Sequence, residues 1–158
     1  MRDLVEVKRL GELSGLSATI ASLQFSYWGP LTGFSSAEQY ERFLRDTAAS
    51  QGLPTVLVAT RRGAFAGSVN LIEREMTTRP SLSPWMAQLF VIEAERGRGI
   101  GNILVNASIS HVVALGFRRV HLYTSGTLPE YYSALGWKPI ERVEYLGKPR
   151  TIMAFDAP

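Results

Sequence analysis

Cysteine is absent from the chain. That excludes disulfides, thiolate metal ligands and a cysteine nucleophile, and it accords with a reducing compartment. Histidine is scarce, with only His111 and His121. Nowhere do His, Asp and Glu stand at metal-ligand spacing, so no metal site is expected. No apolar run approaches the roughly 18 residues of a membrane span. The opening residues MRDLVEVKRL carry charge throughout and lack the apolar centre of a signal peptide. A cytoplasmic, non-membrane protein is therefore expected. There is no acidic run to draw in a polycation, and the arginines are spread out. A formal net charge of +3 suits an anionic ligand but is too mild to suggest a nucleic-acid binder. Repeats, low-complexity tracts and linkers are missing as well. What is present, 158 residues with 46% hydrophobic and 20% charged, reads as one domain over residues 1–158, large enough to hold a core.

Residues 89–115, LFVIEAERGRGIGNILVNASISHVVAL, organise the rest. An apolar strand passes through a loop of Arg and Gly into an amphipathic helix. Gly97, Gly99 and Gly101 stand where the helix should start, and glycine there costs helix propensity. A ligand lying on the backbone explains the cost. The first N–H groups of a helix lack internal partners and the macrodipole makes that end partly positive, so a phosphate can sit on them. Arg96 and Arg98 add charge beside it. No Lys follows the glycines, which argues against a nucleoside triphosphate loop. In the dinucleotide pattern G-x-G-x-x-G the third glycine falls on Asn102, and no acid closes the following strand near Leu122, so that reading also fails.

What remains is Arg96-x-x-Gly99-x-Gly101 after a strand and opening a helix. It resembles the acyl-CoA pyrophosphate motif of the GNAT superfamily of N-acetyltransferases. Downstream, Tyr131-Tyr132-Ser133-Ala134-Leu135-Gly136-Trp137 is similar to that family's F-Y-x-x-L-G-F segment. The two motifs stand in order with a helix and a strand between them, and the resemblance is sharp over residues 85–145. It implies a GNAT-like fold, with a mostly antiparallel mixed sheet flanked by helices and two splayed central strands. It also implies acetyl-CoA as the cofactor and amine acetylation as the activity.

Along the chain, residues 4–8 read as an edge strand. Leu10, Leu13, Leu16, Ile20, Leu23 and Tyr27 have helical spacing and predict one helix over 10–27, broken at Trp28-Gly29-Pro30. Ser35 or Ser36 caps a second helix running to about residue 50. Strands over 55–60 and 64–73 flank a turn at Arg61-Arg62-Gly63, with Gly67 marking a bulge or a close approach. A long polar loop covers 73–84, and loops of that length are usually functional. A strand over 85–92, the glycine loop, a helix to Leu115, a strand over 119–124, a short helix over 128–135 and a hairpin turning at Gly147-Lys148-Pro149 complete an α/β (α+β) layer structure.

Acetyl transfer to an amine requires a held cofactor, a neutral amine, donors for the developing oxyanion and a proton for the leaving thiolate. The main chain and side chains of Arg96, Gly97, Arg98, Gly99, Ile100 and Gly101 are the candidates for holding the pyrophosphate. The glycines matter more than the arginines, because an exposed Arg supplies mainly field. The resemblance places the thioester arm along Leu89, Phe90 and Val91, with an N–H of Phe90 or Val91 facing the carbonyl oxygen. Such a donor stabilises by about 3 kcal/mol. It also maps Tyr132 onto the family's acid, leaving Tyr131 as the ring that packs inward. A phenol's ordinary pKa of about 10 lies close to that of a leaving thiol. The base is expected at Glu73, with Glu75 beside it. Counting alternation from Phe65, Val69 and Leu71 puts Glu73 on the same face if the strand runs on. His121 is a second candidate. Trp28, Glu73 and Glu75 are candidates for the acceptor pocket, Trp28 with Phe25, Tyr27 and Phe34 at the end of the first helix. The expected partner is a small-molecule or peptide amine, and the C-terminal hairpin is compatible with a homodimer. The alternative is a non-catalytic acyl-CoA sensor on the same fold.

Overall fold

The computed structural model describes residues 4–13 and 15–158. These fall into two compact units, one holding residues up to Leu71 with Gln88–Ser108, the other Ile72–Ala87 with Ile109–Pro158. Among the described residues there are seven strands and four α-helices, a mixed-sheet α/β architecture as the element order predicts.

In the first unit, β1 (Val5–Arg9), β2 (Thr55–Arg61) and β3 (Ala64–Ile72) pair antiparallel in sequence order, with β1 at the edge. The second half of β4 (Trp85–Val91) lies beside β3. β2 and β3 are buried almost end to end, as strands covered on both faces must be. Helices α1 (Ser17–Trp28) and α2 (Ala37–Asp46) supply Ile20, Ala21, Tyr40 and Leu44 to a core that includes Val56 and Val58. α1 also buries Gln24, whose amide donates to Asn70 Oδ1 at 3.0 Å and Ser68 Oγ at 3.2 Å, while Asn70 donates to the Tyr40 hydroxyl at 2.8 Å. Those mutual bonds let a polar side chain occupy a core position. The opening residues of α3 (Ile100–Ala114) bury Ile100, Leu104 and Val105.

Gly67 has both of its predicted meanings. Register shifts beside it, from Ala59↔Gly67 to Thr60↔Phe65. A Cβ there would also stand 2.6 Å from the Phe90 carbonyl oxygen, so only glycine lets β3 approach β4 this closely. Within β4, Gln88 takes a left-handed φ of 48°, a local kink in the strand.

In the second unit, β4 begins in parallel with β5 (Arg119–Thr124), with Trp85 opposite His121. β7 (Lys148–Asp156) lies between β5 and the edge strand β6 (Lys138–Tyr145). α4 (Leu128–Ala134) precedes β6. α3 and α4 end alike. Gly116 and Gly136 are left-handed with φ of 97°. Their N–H groups reach Val113 and Ser133, and the next residues, Phe117 and Trp137, reach Val112 and Tyr132. Both are Schellman caps.

Three boundaries differ from the sequence reading. The helix predicted over 10–27 is a short 3₁₀ turn at Leu10–Glu12 followed by α1 from Ser17. Gly15 at φ 87° interrupts the periodicity, and Ser14 in that span lies outside the described residues. α2, capped by Ser36 accepting from the Gln39 N–H at 3.2 Å, stops at Asp46 rather than near residue 50. There Ala49 leaves to bridge Thr55. The last hairpin turns at Leu146 and Gly147, both left-handed, and Pro149 stands inside β7 opposite Glu144. β5 pairs with β7 only as far as Thr151, so the missing N–H of Pro149 breaks no ladder on that side.

Candidate active site

The first unit carries the glycine loop. After Val91 one 3₁₀ turn (Glu93–Glu95) leads to Arg96 and then to α3. Gly97 and Gly99 sit at φ 80° and 82°, and a Cβ at either would meet nothing within 4 Å. The backbone here is left-handed and open to a ligand from that side. The first helical bond runs from the Ile103 N–H to the Gly99 carbonyl, so the amides of Ile100 and Gly101 precede the hydrogen-bonded ladder. An open left-handed backbone at the positive end of a helix fits a pyrophosphate.

The two arginines are partly engaged by the protein. Arg96 Nε donates to the Val91 carbonyl at 2.9 Å, and an outer nitrogen reaches the Tyr27 hydroxyl at 3.5 Å. Arg98 pairs with Glu95 at 3.4 Å, and Glu95 also receives Arg61 from the end of β2. That Arg61–Glu95–Arg98 chain, which spacing does not reveal, anchors the approach to the loop. Of the predicted acceptor residues, Trp28 packs at the end of α1. The Tyr27 and Trp28 rings lie 4.9 and 6.4 Å from that of Phe90, so Trp28, Phe90 and Arg96 share one neighbourhood in this unit.

The second unit carries Glu73, Glu75 and Tyr132. β3 ends at Ile72, so the alternation that assigned Glu73 to the inner face stops one residue short. The Glu73 side chain is 61% exposed, with Arg74 3.9 Å away. Glu75 is turned inward instead. Burial pushes its carboxyl up to about 7, partly offset by a hydrogen bond from the Tyr123 hydroxyl. Tyr123 is raised in turn, first by its own burial and then by the Glu75 charge. Its ring packs edge-on against Trp85 and Tyr145, and the Arg150 guanidinium lies 5.5 Å from its centroid. The 73–84 loop is tied to β6 by the Arg79–Glu141 ion pair and by the Thr77 N–H donating to the Tyr145 hydroxyl at 3.4 Å. Those ties hold Glu75 in place.

His121 is buried against Trp85 and bonded to the Pro84 carbonyl at 3.1 Å, its pKa lowered chiefly by burial. Its contacts are those of a structural histidine. The two tyrosines of α4 reverse the inward and outward assignment. Tyr132 is the buried ring, 8% exposed, and Tyr131 is 37% exposed. Tyr132 is the residue whose carbonyl closes the Schellman cap, and its ring meets Trp137 at 6.0 Å. Burial and the neighbouring Tyr131 push its phenol up to about 12.

The sequence matches the profile of the acetyltransferase (GNAT) family over residues 20–136. The chain belongs to the GNAT acetyltransferase family. Acetyl-CoA is the cosubstrate of that family, and the glycine loop is the part of this GNAT chain whose backbone fits its pyrophosphate. Solved structures agree on the fold. An aminoglycoside 6'-N-acetyltransferase complexed with coenzyme A superposes at a TM-score of 0.72 and 18% identity, covering 96% of each chain. A GNAT-family acetyltransferase from Streptococcus pneumoniae gives 0.70 and 16%, covering 98% of this chain and all of that one. Escherichia coli ElaA gives 0.66 and 17% over the same shares. No curated protein sequence matches. Among the described residues no helix is long and apolar enough to cross a membrane.

Proposed function

We propose that this chain is a single cytoplasmic N-acetyltransferase domain that moves the acetyl group of acetyl-CoA directly to a primary amine of a small molecule or peptide. The observation that carries the reading is the open, left-handed backbone at Gly97 and Gly99 before α3 in a chain of the GNAT acetyltransferase family; added to it is Glu75, a half-buried carboxyl of the second unit that burial pushes up to about 7. A group of that strength takes a proton from an ammonium far more readily than an exposed carboxylate does, and releases it near neutral pH. We therefore assign the base to Glu75 rather than Glu73. The loop from Arg96 to Gly101 binds the pyrophosphate through main-chain amides, with Arg96 and Arg98 as positive field. Leu89, Phe90 and Val91 receive the thioester arm. Glu75 contributes to acceptor binding.

Acetyl-CoA supplies the acetyl group as a thioester. The C–N bond forms as the C–S bond breaks, giving an amide and a thiol. Glu75 takes the first proton from the ammonium. Tyr132 is the donor that returns a proton to the sulfur. At about 12 its phenol stays protonated through the physiological range, so it holds the proton to be given, and the second proton that the nitrogen sheds as the amide forms restores it.

Titration of the chain with acetyl-CoA, with NADH as control, tests the cofactor; thiol release across an amine panel tests the transfer. Micromolar acetyl-CoA binding with amine-dependent thiol release is expected. Binding without release from any amine would leave a cofactor-binding module and remove the transferase reading.

A further inference from the structure

The second unit holds a guanidinium that nothing in the proposed reaction yet uses. Arg150 is half-buried at the start of β7. It stands over the Tyr123 ring, and its Nε donates to the Tyr145 carbonyl at 3.3 Å. Among the described residues it makes no ion pair. The acid on β6 opposite the 73–84 loop, Glu141, is already bound by Arg79. Glu75 is engaged by Tyr123, not by Arg150. A guanidinium partly withdrawn from water without a carboxylate is costly to hold, and its planar fork matches a carboxylate in two-point contact.

Tyr123 therefore serves one anion and one cation that do not neutralise each other. Its hydroxyl donates to Glu75 and its face supports Arg150. A ligand with an ammonium and a carboxylate satisfies both at once, the ammonium against Glu75 and the carboxylate against Arg150. We infer that the acceptor is an amine that also bears a carboxylate, as an amino acid does, and that Arg150 is the residue selecting it. This rests on the reading of Glu75 as the group that meets the amine.

The test compares amino acids with the amines that lack only the α-carboxylate: phenylalanine with phenethylamine, ornithine with putrescine, leucine with isopentylamine. Binding to the chain saturated with coenzyme A is measured calorimetrically, apart from turnover. In at least one pair the amino acid is expected to bind ten-fold or more tightly. Arg150→Gln should erase that difference while leaving the amine's affinity and acetyl-CoA binding unchanged, and Arg150→Lys should restore part of it. Equal binding within every pair, a preference that survives Arg150→Gln, or no binding of any member at millimolar concentration would overturn the inference. Thiol release from the same pairs separates the two readings. A preference without release keeps Arg150 and removes the transferase, and release without a preference does the reverse.

Discussion

The glycine loop and the Glu75 cluster, in the function proposed for them, would work by opposite means. In the first, the proposed functional groups are peptide N–H donors, and the side chains around them are small, exposed or turned aside to other partners. In the second, the proposed functional groups are side chains, and their properties come from what is packed around them. A main-chain site depends on the absence of Cβ atoms, so it leaves a mark in the sequence as glycine spacing. A side-chain site depends on burial, and burial does not follow from spacing alone. Glu73 and Glu75 stand two residues apart with the same side chain. One is solvated and the other is held near neutrality.

The sharpest break of this contrast is Glu75→Gln. If burial makes the base, kcat/KM should fall by about 10²–10⁴ with acetyl-CoA affinity unchanged, while Glu73→Gln should change little. In the wild type, kcat/KM should rise with pH through about 7 as Glu75 loses its proton, and that limb should vanish in Glu75→Gln. Equal losses in the two variants would refute the assignment. The same substitution has a stability arm with a definite sign. Burial raises the folded pKa of Glu75 from the ordinary carboxyl value of 4.5 to about 7. The neutral carboxyl is therefore favoured by folding, and its contribution is full below pH 4.5 and lost as pH rises through about 7. Glu75→Gln should then match the wild type in unfolding free energy near pH 4 and exceed it near pH 8, by up to about 3 kcal/mol.

On the other side of the contrast, Gly99→Val places a branched side chain at φ 82° where a phosphate would lie. Acetyl-CoA affinity should drop by about 100-fold or more, roughly 3 kcal/mol, with the far-ultraviolet dichroism retained. Normal affinity would remove the loop as the phosphate site. Arg96→Gln should weaken acetyl-CoA only a few-fold, since the side chain already serves the Val91 carbonyl. A loss as large as that of Gly99→Val would mean that the side chain, not the backbone, is the main donor. The smallest effect belongs to Tyr145→Phe, which deletes the acceptor of the Thr77 N–H. A destabilisation of about 0.5–1.5 kcal/mol is expected, with kcat reduced modestly as Glu75 loses its anchor. An unchanged melting curve would show that the strap carries no load.

Legibility followed the same division. The strand–glycine–helix passage, the turn at Gly63, β5 and the stops at Gly116 and Gly136 were all readable, because each rests on a local backbone demand that few residues meet. The Tyr132-x-x-x-Gly136-Trp137 spacing is itself such a demand, being the C3, C′ and C″ positions of one helix cap. Where the reading failed, the deciding contact was distant in sequence or the regular pattern stopped early. Helical spacing from Leu10 onward was real, yet Gly15 takes a conformation that the helix cannot include. Period-two counting placed Glu73 inside, but the pleat ends at Ile72. Arg150 and Tyr123 lie 27 residues apart, counted from their numbers in the chain, and only the pairing of β5 with β7 brings them together.

Gly67 extends the lesson to how the chain tolerates change. Its missing Cβ leaves room for the Phe90 carbonyl, the Val91 Cα and the Leu104 side chain, all within 3.3 Å of where that atom would stand. In a saturation library selected for acetylation it should rank with Gly99 and Glu75 as a position that accepts almost nothing. Under selection for folded yield alone, Gly99 and Glu75 should become permissive while Gly67 stays restricted. Intolerance that persists when activity is no longer demanded would mark Gly67 as a seam between strands, a position fixed by assembly rather than by chemistry.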